Sequence, residues 1–115
     1  MTRIILALML TPAMAAAFDR VSEKDSFLTL ISGKSLSNRL YDISLAVTPD
    51  GLIAGAALGW DITGDWYWEN GYFCRNMAWG EDPIPFNCQL VEAKGNQVRF
   101  TSDQGTGEAA SFKLR

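Results

Sequence analysis

Histidine is absent from this 115-residue chain, and cysteine occurs only twice. The absence of histidine removes the most common general base, the most common zinc ligand and the usual pH switch. Two cysteines cannot complete a tetrahedral zinc shell without other ligands, and Cys74 and Cys88 do not have the C-x-x-C spacing of a redox motif. We therefore expect neither a metal site nor a cofactor.

Signatures of catalysis are missing as well. There is no P-loop, and Gly105-Thr106-Gly107 lacks the third glycine and the following helix of a dinucleotide-binding turn. The length excludes a two-domain enzyme, a doubly wound nucleotide-binding fold, a TIM barrel and a repeat array. A carboxylate pair for glycoside chemistry stays open, although no pair stands out. We expect a protein that is not an enzyme.

Positive charge is scarce. The chain has 10 Lys and Arg against 13 Asp and Glu, which gives a formal net charge of −3, and it has no basic run. Nucleic acids and anionic membrane surfaces attract clustered positive charge. Neither is an expected partner.

A hydrophobic run of the roughly 20 residues that a spanning helix needs is also missing. The apolar run 4–10 is shorter; Arg3 precedes it, and Thr11-Pro12 and small residues follow it up to Ala17. This order is typical of a secretory signal peptide that is cleaved after Ala15 or Ala17. We predict a signal peptide over 1–17, one domain over 18–115, no membrane anchor, and a periplasmic or secreted location.

Cys74 and Cys88 are both expected in the exported chain, where a disulfide can persist. Two cysteines allow one intramolecular pairing, so we predict a Cys74–Cys88 disulfide. A domain of this size buries a limited share of its surface, and a covalent link would add to its stability.

One short helix is predicted after the leader. It would begin at a capping residue, Asp25 or Ser26, and end at Gly33 as the C′ residue. Leu36 and Leu40 are expected to return to the core from a connecting segment. Three apolar residues between the helix ends recur at helical spacing: Phe27, Leu30 and Ile31.

The rest of the chain predicts β-strands, because alternating segments are separated by turn signals. Asn70-Gly71 is the clearest hairpin signal, and Thr48–Gly51 suits a type I turn. Further turns are predicted at 63–65 and 103–107, and a loop with two prolines at 80–85. Seven strands result: 41–47, 52–60, 66–68, 72–79, 86–93, 97–102 and 109–114.

Short connections favour a mainly β fold, a small antiparallel β-barrel or half-barrel meander of about seven strands with one short N-terminal helix. Pairing of 72–79 with 86–93 can place Cys74 opposite Cys88. The small residues Gly55, Ala57 and Gly59 on one strand face indicate a bend or the close approach of another layer.

Aromatic residues are dense between positions 60 and 79. Trp66 and Trp68 share one strand face and Tyr67 takes the other, so core packing accounts for most of them. Tyr67 and Trp79 are the candidates for exposure as a platform for a partner or a sugar. Arg75 lies on the face opposite Cys74 and could stack on an aromatic ring or pair with an acidic residue, namely Glu69, Glu81 or Asp82.

Several segments resemble those of a group of short exported proteins of alphaproteobacteria, and are similar to a broader family of unknown function. They are LISGKSL (30–36), VTPDG (47–51), TGDWYW (63–68), GYFCR (71–75), NCQ (87–89) and FTSD (100–103). Some members of the group carry the name dihydrodipicolinate reductase, a cytoplasmic two-domain nucleotide-binding enzyme. This chain lacks that enzyme's length and glycine-rich turn, so we do not expect its activity. The resemblance implies structural residues only.

Two further resemblances concern binding. Gly64-x-Trp66 resembles the G-x-W of lipocalin-like and avidin barrels, although there it opens the first strand. The segment 103–107, with 111–113 after it, resembles the Ser/Gly loop that periplasmic inhibitors of c-type lysozyme present on a disulfide-linked barrel. That resemblance implies four possible contact residues: Asp103, Gly105, Thr106 and Gly107.

The expected function is binding by a monomer, with an envelope protein, a peptide or a small apolar ligand in the barrel mouth as partner. The alternative is inhibition of a cell-wall hydrolase such as c-type lysozyme. A cavity of roughly several hundred Å³ between the tryptophan face and the helix would favour a ligand. A solid core with a protruding 103–107 loop would favour inhibition. The possible binding residues are Tyr67, Arg75, Trp79, Asp103, Gly105, Thr106 and Gly107.

Overall fold

The computed structural model describes residues 17–115. The predicted signal peptide lies outside these residues, apart from Ala17, and stays a prediction. The described chain has nine strands and two short helices. In chain order they are β1 (Asp19–Arg20), α1 (Lys24–Ile31), β2 (Leu36–Asn38), β3 (Ile43–Val47), β4 (Leu52–Ala57), β5 (Trp60–Glu69), β6 (Tyr72–Trp79), β7 (Asp82–Lys94), β8 (Gln97–Thr101), α2 (Ser102–Gly105) and β9 (Ala109–Leu114).

The strands close into a barrel. Each of β2 to β9 pairs antiparallel with the next strand along the chain, and β9 pairs back with β2. The result is a closed eight-stranded antiparallel barrel, with β1 as an additional strand on β7. The mainly β barrel prediction is confirmed, in its closed form. The prediction treated β2 as a connecting segment, and it is the strand that completes the closure.

The long strand β7 is shared between two neighbours. Its residues from Asp82 to Gln89 pair with β6, and those from Leu90 to Lys94 pair with β8. The predicted loop at 80–85 is therefore wrong beyond its first two residues. Pro83 and Pro85 fit in the strand because this half of β7 has no ladder on its second side.

A β-bulge accommodates the second proline. Arg75 of β6 is opposite Asn87, while Met77 is opposite Ile84, so two residues of β7 lie across from one residue of β6. Such bulges bend a strand and change where its side chains point. Pro85 lies in this bulge.

The predicted turn at 63–65 is wrong, since β5 runs unbroken through it. The chain turns earlier, at Leu58 and Gly59, which have φ values of 52° and 83°. Gly64 lies inside β5, where an added Cβ would meet the backbone of Asn76 on β6. Gly55 likewise approaches the backbone of Ser44, but Ser44 lies on the neighbouring strand β3 of the same sheet and not in another layer.

Helix α1 closes one end of the barrel. Its N-cap is Glu23 and not Asp25 or Ser26, while Gly33 follows its end with a φ of 67°, as the sequence predicts. Phe27 is fully buried, and its ring centroid lies 5.4 Å from that of Trp66 and 5.3 Å from that of Phe73. The aromatic rings pack tightly at this end of the core.

Two predicted hairpins are confirmed. Asn70 and Gly71 have φ values of 53° and 83°, which the tight β5–β6 turn requires. At the β3–β4 turn, the amide of Gly51 donates to the carbonyl of Thr48 at 3.1 Å. Both turns lie at the barrel end that α1 closes.

Cys74 and Cys88 are directly opposite each other on β6 and β7 and form a disulfide, with their Cα atoms 3.9 Å apart. They face outward, beside the stacked rings of Tyr67 and Phe86. Cys74 is nevertheless buried. The predicted pairing and register are confirmed, and a buried disulfide fits an oxidising, exported compartment. Neither helix in the described part of the chain has the length and apolar character needed to cross a membrane.

Replacing both cysteines, Cys74→Ala with Cys88→Ala, should lower the free energy of unfolding by about 3 kcal/mol, because the unfolded chain regains the freedom of a closed loop. Urea unfolding monitored by tryptophan fluorescence measures the change. Reduction of the native protein serves as the matched control and should give a loss of similar size. An unchanged unfolding midpoint in both cases would contradict the stabilising role of the disulfide.

Candidate functional site

The end of the barrel opposite α1 is open. Four connections surround it, at residues 39–42, 58–59, 80–81 and 102–108. A cavity of about 400 Å³ lies inside this end of the barrel. We call this cavity the cup. Six buried apolar side chains form much of its wall and floor: Leu36, Leu45, Ile53, Phe73, Phe100 and Phe112.

The cup does not lie between the tryptophan face and the helix, the position that would have favoured a ligand. Phe27 of α1 fills that space and contacts Phe73 and Phe100, with ring centroids 5.3 Å and 6.3 Å away. The same two phenylalanines line the cup from the other side. One aromatic layer therefore separates a solid end of the barrel from a hollow end.

Arg75 is the charged residue buried in the cup. Its side chain is 8% exposed, because the alternation of β6 directs it inward while Cys74 faces outward. Its Nη1 donates to the carbonyl oxygen of Pro85 at 2.6 Å, in the β-bulge. Its Nε is buried and has no hydrogen-bond partner among residues 17–115.

No acidic side chain compensates this guanidinium within the described residues. The ion pair that the structure forms there is Arg99 with Glu92, at 3.0 Å on the outside of the barrel. The predicted pairing of Arg75 with Glu69, Glu81 or Asp82 is therefore wrong, since those side chains belong to the outer surface or the turns. Burial lowers the pKa of Arg75 from its ordinary value, because removal from water penalises the charged form.

Gln89 places a second polar group in the cup. It is buried opposite Phe73 on β7, and its Nε2 donates to Ser102 Oγ at 3.3 Å. Ser102 also lines the cup, as does Glu108 at the exposed mouth. Gln89 and Ser102 lie in the segments NCQ and FTSD that carry the family resemblance, but the sequence assigns none of the three residues a binding role, and their convergence depends on how the β8–β9 connection folds.

Residues 102–107, which we call the pinned loop, cover the side of β7 that lacks a strand partner. Asn87 holds the loop by two hydrogen bonds: its Nδ2 donates to Asp103 Oδ1 at 2.8 Å, and its Oδ1 accepts from the Asp103 amide at 2.9 Å. Asp103 and Gln104 have φ values of 55° and 56°, a left-handed conformation that costs free energy in residues other than glycine. The loop thus completes the wall of the cup where the ladder is interrupted.

The predicted contact residues of this segment lie at the mouth. Asp103, Thr106 and Gly107 are exposed, and Gly105, with a φ of 104°, packs against the side chain of Leu90. The structure therefore brings Arg75 and the 103–107 segment to the same end of the barrel.

Four apolar side chains are exposed around the mouth, in two of the connections and at the first residue of β5, and we call them the rim: Leu40, Tyr41, Leu58 and Trp60. Leu40 is 80% exposed, so its predicted return to the core is wrong, whereas Leu36 is fully buried as predicted. Leu40 lies in the short β2–β3 turn, where its amide donates to Asn38 Oδ1 at 2.9 Å. Trp60 is 63% exposed, and no sequence signal distinguishes it from the less exposed tryptophans.

The two aromatic candidates for a binding platform lie apart. Tyr67 is exposed, as predicted, on the outer wall against Phe86. Trp79 is half-buried against the core, and its indole N–H donates to the carbonyl of Ala57 at 2.7 Å, so its predicted exposure is wrong. Neither residue lines the cup.

Among residues 17–115, no three acidic or cysteine side chains cluster closely enough to hold a metal ion. Comparison of the chain with protein-family models, with curated proteins and with solved structures gives no match.

Arg75→Met should raise the free energy of unfolding by about 1 kcal/mol, because it removes an incompletely satisfied buried charge and keeps a side chain of similar length. Arg99→Met is the matched control: it removes an arginine from the outer face together with its ion pair, and should leave stability unchanged or slightly lower. Chemical denaturation of both variants measures the changes. A clear loss of stability in Arg75→Met would mean that the buried guanidinium holds the fold together.

Proposed function

We propose that this chain is an exported, non-enzymatic binding protein whose barrel holds a small, largely apolar ligand in the cup. The observation that carries the proposal is the cavity of about 400 Å³, open at one end and lined mainly by apolar side chains. Cavities of this size, with a few convergent polar groups, are typical of small-molecule sites.

The energetics support a ligand rather than an empty space. The walls of the cup are formed by apolar side chains such as Leu45, Ile53 and Phe112, which are hydrated unfavourably. Each methylene group that a ligand buries there contributes about 0.8 kcal/mol, so a short alkyl chain supplies several kcal/mol. The closed strand ladder and Phe27 hold the walls apart before a ligand arrives, which reduces the cost of ordering the site.

We propose a periplasmic or secreted location for this activity. The buried Cys74–Cys88 disulfide supports an oxidising compartment. The leader predicted over 1–17 supports export, and the resemblance to short exported proteins agrees with it.

Binding of 1-octanol, a neutral ligand with an apolar chain, tests the cup directly. Titration followed by amide chemical shifts should move residues of the cup such as Ile43, Met77 and Ala110, and leave the outer wall around Tyr67 unchanged. Ala110→Phe, which adds a ring inside the mouth, should weaken the binding at least about tenfold, since it occupies part of the cavity.

Ala54→Phe is the matched control for this titration. Ala54 is exposed on β4 and does not line the cup, so the same added ring should leave octanol binding unchanged. Equal effects of the two substitutions, or shifts confined to the outer wall, would refute binding in the cup.

Inhibition of a cell-wall hydrolase such as c-type lysozyme is the second candidate function. The observation that favours it is the pinned loop, in which the exposed residues Asp103 and Gln104 keep a left-handed backbone held by Asn87. Strained, rigidly held loops are common at binding sites. A rigid loop also loses little entropy when it enters an enzyme's cleft.

A turbidity assay with c-type lysozyme and a cell-wall suspension tests this candidate. An inhibitor should slow clearing in proportion to its concentration, and Asn87→Ala, which releases the loop, should weaken the effect roughly tenfold, equivalent to about 1.4 kcal/mol. Unchanged clearing at a large molar excess of the protein would exclude the inhibitor function for this enzyme class.

A further inference from the structure

We propose that the ligand of the cup is an organic monoanion, a single carboxylate on a short apolar chain or ring, held by the Arg75 guanidinium. The inference rests on the proposed function and specifies its ligand class.

The first argument is the missing counter-charge. Arg75 is 8% exposed, lines the cup, and has no acidic partner within 4.0 Å among the described residues. A buried charge is costly unless it is paired, and removing one arginine charge from water is compensated best by one negative charge. A ligand anion supplies the charge that the protein does not.

The second argument is geometric. Nη1 of Arg75 is already bound to the carbonyl of Pro85 at 2.6 Å, which fixes the guanidinium plane. Nε is enclosed and has no hydrogen-bond partner among residues 17–115, so the hydrogen-bonding capacity of the guanidinium is incompletely satisfied by the protein. A planar carboxylate accepts hydrogen bonds from the edge of a guanidinium, and such charge-assisted bonds are stronger than neutral ones.

A neighbouring hydroxyl adds a second donor. Ser102 Oγ accepts a hydrogen bond from Gln89 Nε2, and both residues line the cup. Because a hydroxyl has one proton of its own to donate, that proton is available to an acceptor in the cup. Arginine and serine donors around an otherwise apolar cavity suit one small oxyanion attached to an apolar body.

The size of the cup limits the ligand. At about 30 Å³ for each water-sized group, the cavity of about 400 Å³ accommodates on the order of a dozen non-hydrogen atoms. Octanoate fits within this limit, and a hexadecanoate chain exceeds it.

Glu108 disfavours a second negative charge on the ligand. It lies at the mouth of the cup, where it is exposed and makes no ion pair with Arg75. A second negative charge on a ligand would have no second buried cation to pair with, and the Glu108 carboxylate would repel it. We therefore infer a monoanion and not a phosphate monoester.

Isothermal titration with octanoate and with 1-octanol, which share a chain length, tests the proposal. The native protein should bind octanoate at least about tenfold more tightly than octanol, as expected for a hydrogen-bonded ion pair. Hexadecanoate should bind more weakly than octanoate. Arg75→Met should lose the preference for octanoate over octanol, and native-like dispersion of its amide chemical shifts shows that the variant is folded.

Arg99→Met removes an arginine from the outer wall and should keep the full preference, so it controls for the general effect of charge. Equal affinities for octanoate and octanol in the native protein would overturn the monoanion inference and leave the apolar cup in place. A preference that persists in Arg75→Met would overturn the role of this residue. Absence of binding by either ligand would overturn both the inference and the proposed function.

Discussion

The closure of the barrel depends on β2, a strand of three residues. Leu36 pairs with Leu45 on one side and with Leu114 on the other, and the backbones of Ser35 and Arg115 exchange two hydrogen bonds of 3.0 Å beyond the ladder. Leu36 is fully buried at this junction. Without these few pairs β3 and β9 would be the edges of an open sheet, which could not enclose a cavity and would expose unpaired backbone groups.

Closure alone does not explain why the barrel is hollow at one end only. Phe27 enters from α1 and packs with Trp66 and Phe73, so one end is filled like an ordinary protein interior. At the other end the short helix α2 lies in the pinned loop and does not fill the barrel, and Arg75 occupies the wall where an apolar residue would pack better. A buried arginine without a counter-ion reduces stability, and such a cost is typical of positions that are retained for binding.

The fold could be predicted from the sequence where local signals agree with tertiary structure. Strand alternation, the Asn70-Gly71 turn and the helix end at Gly33 all persist in the structure, and the predicted pairing of β6 with β7 opposes Cys74 to Cys88. The incorrect secondary-structure predictions concern residues whose usual conformational preference is outweighed by their tertiary surroundings. Gly64 looks like a turn residue, yet it is a strand position where β6 approaches closely.

The two prolines of β7 are a second case in which tertiary structure outweighs a local sequence preference. They indicate a loop, but one side of that half-strand has no ladder, so the missing N–H groups cost little. The turn at Leu58 could not be found, because leucine is not a turn residue and its positive φ is imposed by the hairpin.

The site was predictable only in part, because its geometry also depends on tertiary structure. The inward direction of Arg75 follows from its alternation with Cys74, but the absence of a partner for it depends on all the strands together. Asn87 and Gln89 belong to the NCQ segment of the family resemblance, but that resemblance implies no binding role for them. They acquire a role because the bulge and the pinned loop bring β7 and the β8–β9 connection together.

The aromatic floor of the barrel has a kinetic consequence. Because α1 closes one end, a ligand bound as we propose would leave by the mouth through which it entered, so its uptake and release would cross the same barrier. Exposed side chains at the mouth, such as Leu40 and Trp60, would then affect both rates together and the affinity less. Such a ligand would be passed on at the mouth, either to a recipient that meets it there or into the surrounding water.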